Sequence, residues 1–357
     1  AGSGPVAVFS APEFDDHEQV VFCRDRATGL KAIIAVHDTT LGPALGGCRM
    51  WPYGSEEDAL TDVLRLSRAM TYKHALAATR QGGGKAVIIG DPKRDKTPAL
   101  LHAFGRCVDG LSGRYIAAED VGTSPDDMAH VRQATPHVAG LAQGSGDPSP
   151  VTAYGVFCGI RAAVRHKLER DDLVGVRVAV QGLGHVGFAL CGYLHEAGAR
   201  LYVADIDAEA VERAANAYAA ASVRCEEILG LAVDVIAPCA LGGVLNGESI
   251  PRVRASIVAG AANNQLACED DGRALRARGI LYAPDYAINA GGVINITFEG
   301  ERYDHGAAMR RTAEIYDTML EIFRRADAEA LPTNVVADRM ALERIEAARK
   351  EQAATPD

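Results

Sequence analysis

The segment Val176–Asp205, VRVAVQGLGHVGFALCGYLHEAGARLYVAD, limits the possible folds more than any other part of the chain. A short apolar run (Val176, Val178, Ala179, Val180) meets Gly182, Gly184 and Gly187 in the spacing GxGxxG. A stretch with an apolar face follows (Val186, Leu190, Leu194), then a second β-like run, Arg200–Ala204, that ends at Asp205. Glycine-rich turns are common, but here strand, turn, helix, second strand and acid all fall where a dinucleotide requires them. Gly182 permits the sharp turn, Gly184 leaves room for a pyrophosphate, and Gly187 lets the helix lie close to the sheet. The helix N-terminus offers free N–H groups and a partial positive charge to the phosphates. Leu183, His185 and Val186 complete this turn. Asp205 can accept hydrogen bonds from a ribose 2′-OH and would repel a 2′-phosphate, which favours NAD over NADP. Ile206 stands beside it, and Asp207 either adds to the negative field or caps the next helix.

At 357 residues the chain suits two domains, each with its own core. The formal charge of −10 argues against a nucleic-acid partner. The longest apolar runs are too short for a membrane span, and the N-terminal AGSGPVAVFSAPEF lacks the pattern of a secretory signal. The eight cysteines are scattered, with neither CxxC pairs nor histidines at metal-ligand spacing. They read as buried free thiols of a cytoplasmic protein, and no metal site is expected.

In chain order, residues 20–38 read as an antiparallel hairpin, with another β-like tract at Gly46–Met50. Ser55-Glu-Glu-Asp58 opens a helix whose apolar face runs to about Tyr72. Arg80-Gln-Gly-Gly-Gly-Lys85 precedes a buried-strand candidate, AVIIG. Helix 97–111, strand 114–118 and a helix from Ser124 follow. The tract 143–150, richest in Gly, Ser and Pro, marks the domain boundary. A helix over 151–168 enters the nucleotide domain. Beyond Asp205 the alternation continues with helix 208–220, strands 233–239 and 257–262, helix 270–278 and strand 280–284, which implies a doubly wound parallel sheet. From Arg302 the tail reads as helices broken near Leu331-Pro332. Their charged faces suit either solvent or domain bridging and oligomerisation.

Two lysines and one aspartate stand out. Surface lysines are the ordinary case, but Lys85 follows three glycines that would clear space for a ligand and precedes residues that read as buried. A lysine there is partly desolvated, and a second ammonium such as Lys73 nearby would lower its pKa towards that of a base. Asp120 ends a strand of the same domain. It is either a turn residue or a partner of Lys85 in a common cleft.

The segments LGPALGGCRMW (41–51), AMTYKHALA (69–77), GGGKAVIIGDP (82–92), AEDVGT (118–123), VTAYGV (151–156), GLGHVG (182–187), AANNQL (261–266) and NAGGVIN (289–295) resemble, in order through most of the chain, the amino-acid dehydrogenase superfamily of glutamate, leucine, valine and phenylalanine dehydrogenases. The resemblance implies reversible oxidative deamination of an L-amino acid with NAD⁺. Lys73 would grip the substrate carboxylate beside the Gly46–Gly47 backbone. Lys85 would activate water, and Asp120 would move protons at the amine nitrogen. Thr152 would touch the nicotinamide side, and Asn264 would orient nicotinamide or carboxylate. Pro238, Cys239, Ala240 and Ala261 would line the cofactor channel. Residues 1–148, completed by the C-terminal helix 325–357, would bind substrate and oligomerise, and 149–324 would form a Rossmann-type NAD domain. The two lysines and the aspartate would meet the nicotinamide across a closing interdomain gap. A homo-oligomer is expected.

Leu45, Ala118, Val293 and Ile296 stand at the positions that line the side-chain pocket in this superfamily. All are apolar, so a glutamate γ-carboxylate would be left unpaired. Within the superfamily the resemblance favours phenylalanine as substrate, with leucine or valine as the alternative. An NAD-binding regulator that lost the chemistry is a third reading, opposed by the retention of Lys73, Lys85 and Asp120 together.

Overall fold

Strand β1 (Gln19–Asp25) pairs antiparallel with β2 (Leu30–Asp38) around a turn in which Gly29 adopts φ +77°, a left-handed conformation that a side chain disfavours. The computed structural model describes residues 8–141, 146–299 and 303–354. They fall into two compact units, Ala1–Gly146 with Glu299–Tyr303 and Ala341–Asp357, and Asp147–Phe298 with Asp304–Met340. The glycine- and serine-rich tract 143–150 lies at this division, with 143–145 outside the described residues. Arg302, where the helical tail was expected to begin, is also outside them.

The first unit continues with β3 (Ala44–Trp51), α1 (Glu56–Leu76), β4 (Gly82–Ile89), α2 (Pro98–Asp109), β5 (Tyr115–Glu119) and α3 (Pro125–Arg132). Its five-stranded sheet is mixed, in the order β1-β2-β4-β3-β5, with β3 parallel to both neighbours. α1 starts where Ser55 accepts a hydrogen bond from the Asp58 N–H. It buries Ala59, Leu60, Val63 and Leu64 against Ile33 and Val87 on one face of the sheet. On the other face Leu100, Leu101 and Phe104 of α2 pack with Ile34, Met50 and Ile88.

One expectation fails in this unit. The three glycines before Lys85 are not a space-clearing loop ahead of a strand, because β4 begins at Gly82 and Lys85 lies inside it, paired in register with Ala35. A Cβ at Gly82 would fall 2.2 Å from Asp38 O, one at Gly83 2.0 Å from Thr71 Oγ1, and one at Gly84 2.8 Å from the Tyr115 ring. The cleared space is occupied by the protein's own chain.

The second unit runs α4 (Ser149–Leu168), β6 (Arg177–Gln181), α5 (His185–Glu196), β7 (Arg200–Ala204), α6 (Ala208–Tyr218), β8 (Ala221–Ser222), β9 (Val235–Pro238), β10 (Ile257–Val258), α7 (Asp270–Ala277) and β11 (Leu281–Tyr282). These strands form one parallel sheet in the order β11-β10-β9-β6-β7-β8, a Rossmann-type arrangement whose topological switch point lies between β6 and β9. Helices α8 (Asp285–Ile288), α9 (Gly291–Thr297), α10 (His305–Ala313), α11 (Ile315–Ala328) and α12 (Thr333–Ala354) follow. The strand read over 257–262 is only two residues long. Gly260 passes so close to β9 that a Cβ there would sit 2.2 Å from Pro238 O, and Ala262 N–H then bonds that same carbonyl. The end of α12 belongs to the first unit, where Arg344 donates to the carbonyls of Ala75 and Leu76 at the end of α1.

No helix among the described residues is long and apolar enough to cross a membrane. The buried-thiol reading holds for Cys23, Cys48, Cys158 and Cys191, whereas Cys225 and Cys268 are exposed.

The first unit buries three histidines, His17, His37 and His74, and burial lowers the pKa of each. Burial pulls His74 down to about 4, with a smaller contribution from the Lys73 ammonium, against its bond to the Leu45 carbonyl. Burial also takes His17 to about 4, with help from His37 and against its bond to Leu64 O. A histidine whose folded pKa lies below its unfolded value contributes stability above pH 6.5, and this is lost as the pH falls towards the folded value. We therefore expect stability to drop between pH 6.5 and about 4, with His74 alone accounting for about 3 kcal/mol. Urea midpoints measured across that window, with His74→Gln flattening the slope, check this.

Candidate active site

β3, β4 and β5 are neighbours, so residues distant in sequence meet where the end of β5 lies beside the middle of β3 and β4. Lys85 Nζ lies 2.9 Å from Asp120 Oδ2, and the Lys85 residue is only 6% exposed. Burial pushes the Asp120 carboxyl up, but the positive charges of Lys85 and Arg49 outweigh it and hold the group at about 2. Asp120 is thus a half-buried carboxylate, ionised at neutral pH and in contact with the buried Lys85 side chain.

The loop that carries Asp120 is tied to β3. Met50 N–H bonds Val121 O, Thr123 Oγ1 lies 2.8 Å from Cys48 O, and Asp120 N–H donates to Thr123 Oγ1. Gly47 faces this junction, whereas Gly46 faces the backbone of β4. A Cβ on Gly47 would sit 2.7 Å from Asp120 Cβ, and one on Gly46 would sit 1.7 Å from Gly84 O. Tyr115, fully buried, donates its hydroxyl to Gly46 O at 2.7 Å and sets the orientation of that peptide. Lys73 is half-buried in the last turn of α1. Its neighbour His74 ties this turn to β3, with Nε2 3.2 Å from Leu45 O and Nδ1 2.7 Å from Thr79 Oγ1. Leu45 and Ala118 are buried on adjacent strands at 3% and 5% exposure.

Sequence reasoning missed Arg49, Tyr115 and His74, whose side chains brace the expected site. Their signal is weak in sequence because an arginine, a tyrosine or a histidine in a strand or helix has many ordinary uses.

In the second unit the glycine turn takes the expected form. Gly182 has φ +97°, and Gly187 approaches so closely that a Cβ would lie 2.0 Å from Gly182 O. Only open space adjoins the Gly184 α-carbon. Gly184 caps α5 without any side-chain hydrogen bond, which leaves the N–H groups around His185, Val186 and Gly187 to a ligand. Beside it is a cavity of about 430 Å³ whose lining includes Leu183, His185, Phe188, Asp205, Asp207 and Arg213. Ile206, next to Asp205, is 97% exposed. The Asp205 carboxylate does more than expected, since Oδ2 accepts the Leu183 N–H at 2.5 Å and Oδ1 the Asp207 N–H at 2.9 Å. Asp207 also caps α6.

The loop after β9 lies against this turn. Cys239 N–H bonds Gln181 O, and the Gly182 α-carbon faces Ala240. Pro238 O receives Ala262 N–H, which brings the segment holding Ala261 to the same strand ends. Asn264 has φ +52° and is exposed, and its loop is braced by Asn289 Nδ2, which donates to Ala261 O and Asn263 Oδ1. Thr152 Oγ1 donates to Pro148 O, and a Cβ at Gly292 would lie 2.9 Å from it. Val293 and Ile296 are half-buried on α9. Uncapped helix N-terminus, open glycine, acid and cavity fit a dinucleotide at the carboxyl ends of the strands.

A mixed-sheet unit with a paired lysine and carboxylate, joined to a Rossmann unit with an open glycine turn, fits a nicotinamide-dependent dehydrogenase of the two-domain α/β class. Residues 17–137 match the family described as Glu/Leu/Phe/Val dehydrogenase, dimerisation domain, and residues 202–352 match Glutamate/Leucine/Phenylalanine/Valine dehydrogenase. The chain is 52% identical to a leucine dehydrogenase of Geobacillus stearothermophilus over 96% of its length and 94% of the relative's. It is 47% identical to a phenylalanine dehydrogenase of Caldalkalibacillus thermarum, covering 94% and 92%. The crystal structure of L-tryptophan dehydrogenase from Nostoc punctiforme superposes with a TM-score of 0.85 at 49% identity, covering 94% of this chain and 97% of that one. The chain belongs to the Glu/Leu/Phe/Val dehydrogenase family and is an amino-acid dehydrogenase. Members of this family are NAD-dependent.

Proposed function

We propose that the chain catalyses the reversible oxidative deamination of an aliphatic L-amino acid, with leucine as the preferred substrate. The overall change is L-amino acid, NAD⁺ and water to 2-oxo acid, ammonium, NADH and a proton. The observation that carries the chemistry is the contact of Lys85 Nζ with Asp120 Oδ2 at 2.9 Å. NAD⁺, when bound, accepts the hydride from the substrate Cα.

The chain's own residues do the rest. Lys73 and the Gly46–Gly47 backbone hold the substrate carboxylate. Asp120 takes a proton from the substrate ammonium, since only the free amine can lose a hydride to give an iminium. Lys85 accepts a proton from the water that attacks that iminium. Asp120 returns its proton to nitrogen as the carbinolamine collapses to the ketone; the carbinolamine hydroxyl proton passes to the departing ammonia, which leaves as ammonium, and the proton held by Lys85 is released to solvent. In the second unit Gly182, Gly184 and Gly187 carry the pyrophosphate, Asp205 holds the ribose, and Thr152, Asn264 and the loops at Pro238–Ala240 and Ala261 attend the nicotinamide. The description of the family matched by 17–137 as a dimerisation domain supports association of the first unit into a homo-oligomer.

The ranking of substrates differs from the expectation of phenylalanine. Leucine is supported by the 52% identity to a leucine dehydrogenase and by the apolar character of Leu45, Ala118, Val293 and Ile296. Phenylalanine remains the second reading, favoured by the phenylalanine dehydrogenase relative and by the small side chain of Ala118. Initial rates at 340 nm with ammonium, NADH and either 4-methyl-2-oxopentanoate or phenylpyruvate separate the two. The aliphatic acid is expected to lead by about tenfold in kcat/KM, and the reverse order restores phenylalanine.

A further inference from the structure

We infer that Arg49 is a positioning residue for the reaction, held by Asp62 so that it anchors the Asp120 carboxylate while Lys85 exchanges its proton. The inference rests on the assignment of Lys85 and Asp120 above. Arg49 Nε lies 3.1 Å from Asp120 Oδ2, the same oxygen that Lys85 Nζ approaches at 2.9 Å. Its other arm, Nη1, lies 2.9 Å from Asp62 Oδ2 on α1. Asp62 is fixed in turn by the Tyr53 hydroxyl at 2.6 Å and by Arg65 Nη2 at 3.1 Å. The arginine and both carboxylates are at most about a fifth exposed at the side chain. A cavity of about 500 Å³, lined by Arg49, Asp62, Tyr53 and Trp51 among others, adjoins the Arg49–Asp62 pair.

The chemistry explains why a second cation is needed there. A base must give up its positive charge at one stage of each turnover, and when Lys85 does so the half-buried Asp120 loses its nearest counter-charge. A guanidinium stays charged throughout, so Arg49 keeps the carboxylate ionised and in place at that stage. Its planar fork spans Asp120 and Asp62 at once, a geometry that a lysine cannot copy.

The experiment uses the full chain and compares Arg49→Gln, Arg49→Lys and Asp62→Asn with Lys85→Ala and Asp120→Asn. The readouts are kcat, KM for NAD⁺ and the pH profile of kcat/KM. Asp120 is faced by Lys85, Arg49, the Cys48 thiol and the Tyr115 hydroxyl, and Arg49 by Asp62, Tyr53 and Asp120. Removing the Arg49 charge therefore moves the acid limb up, by about one pH unit. Removing the Asp62 charge leaves it in place or moves it down. We expect Arg49→Gln to lower kcat roughly 10²-fold with an unchanged KM for NAD⁺, Arg49→Lys to restore the acid limb but only part of kcat, and Asp62→Asn to lower kcat about tenfold without the upward shift. A general loss of packing would not shift the acid limb in Arg49→Gln while sparing it in Asp62→Asn. Parental kcat and profile in Arg49→Gln or, should that variant not fold, in both Arg49→Lys and Asp62→Asn overturn the role of Arg49. Normal turnover in Lys85→Ala or Asp120→Asn instead overturns the assignment on which it rests.

Discussion

Lys85→Ala is expected to reduce kcat by roughly 10²–10⁴-fold, the usual contribution of a positioned proton-transfer group, while NADH binds as it does to the parent. Two observations separate these effects. Lys85 is inside β4 of the first unit, whereas the open glycine turn, Asp205 and their cavity all belong to the second. Removing the ammonium also leaves the half-buried Asp120 with one cation fewer, so some stability will be lost as well. Stopped-flow turnover with leucine, alongside NADH fluorescence titration and a thermal melt, keeps these apart. Unchanged turnover in a folded variant would falsify the assignment of Lys85.

Asp205→Ala should raise KM for NAD⁺ by about 10–100-fold, the equivalent of one or two hydrogen bonds to a charged acceptor. Discrimination against NADP⁺ should fall at the same time, because the charge that repels a 2′-phosphate is gone. The structure makes the effect larger than loss of a ribose contact alone. The same carboxylate accepts N–H groups from Leu183 in the glycine turn and from Asp207 at the head of α6, so its removal also loosens the turn proposed to hold the pyrophosphate. Comparing kcat/KM for NAD⁺ and NADP⁺ reads both consequences. An unaltered cofactor ratio would mean that Asp207 or the turn itself does the discriminating.

The form of the glycine turn was legible because its physics is local. Gly182, Gly187 and Asp205 act within about thirty residues of one another, and each follows from a backbone requirement that the sequence displays. The glycines around Lys85 were misread because their requirement is not local. They are small to admit Asp38, Thr71 and Tyr115, residues distant in the chain. The short helix α9 was missed for a related reason, since Gly291 and Gly292 are poor helix formers and are placed there by close packing on α4.

By itself the sequence determined the alternation of strands and helices, the preference for NAD, and which lysines and aspartate to single out, because periodicity, turn chemistry and motif spacing are properties of neighbouring residues. Only the tertiary structure decided that Lys85 and Asp120 touch, that Arg49 shares the same oxygen, and that His74 ties Lys73's helix to β3. Those contacts depend on the parallel register of β3 with β4 and β5 and on the packing of α1 across them, which no short stretch of chain encodes.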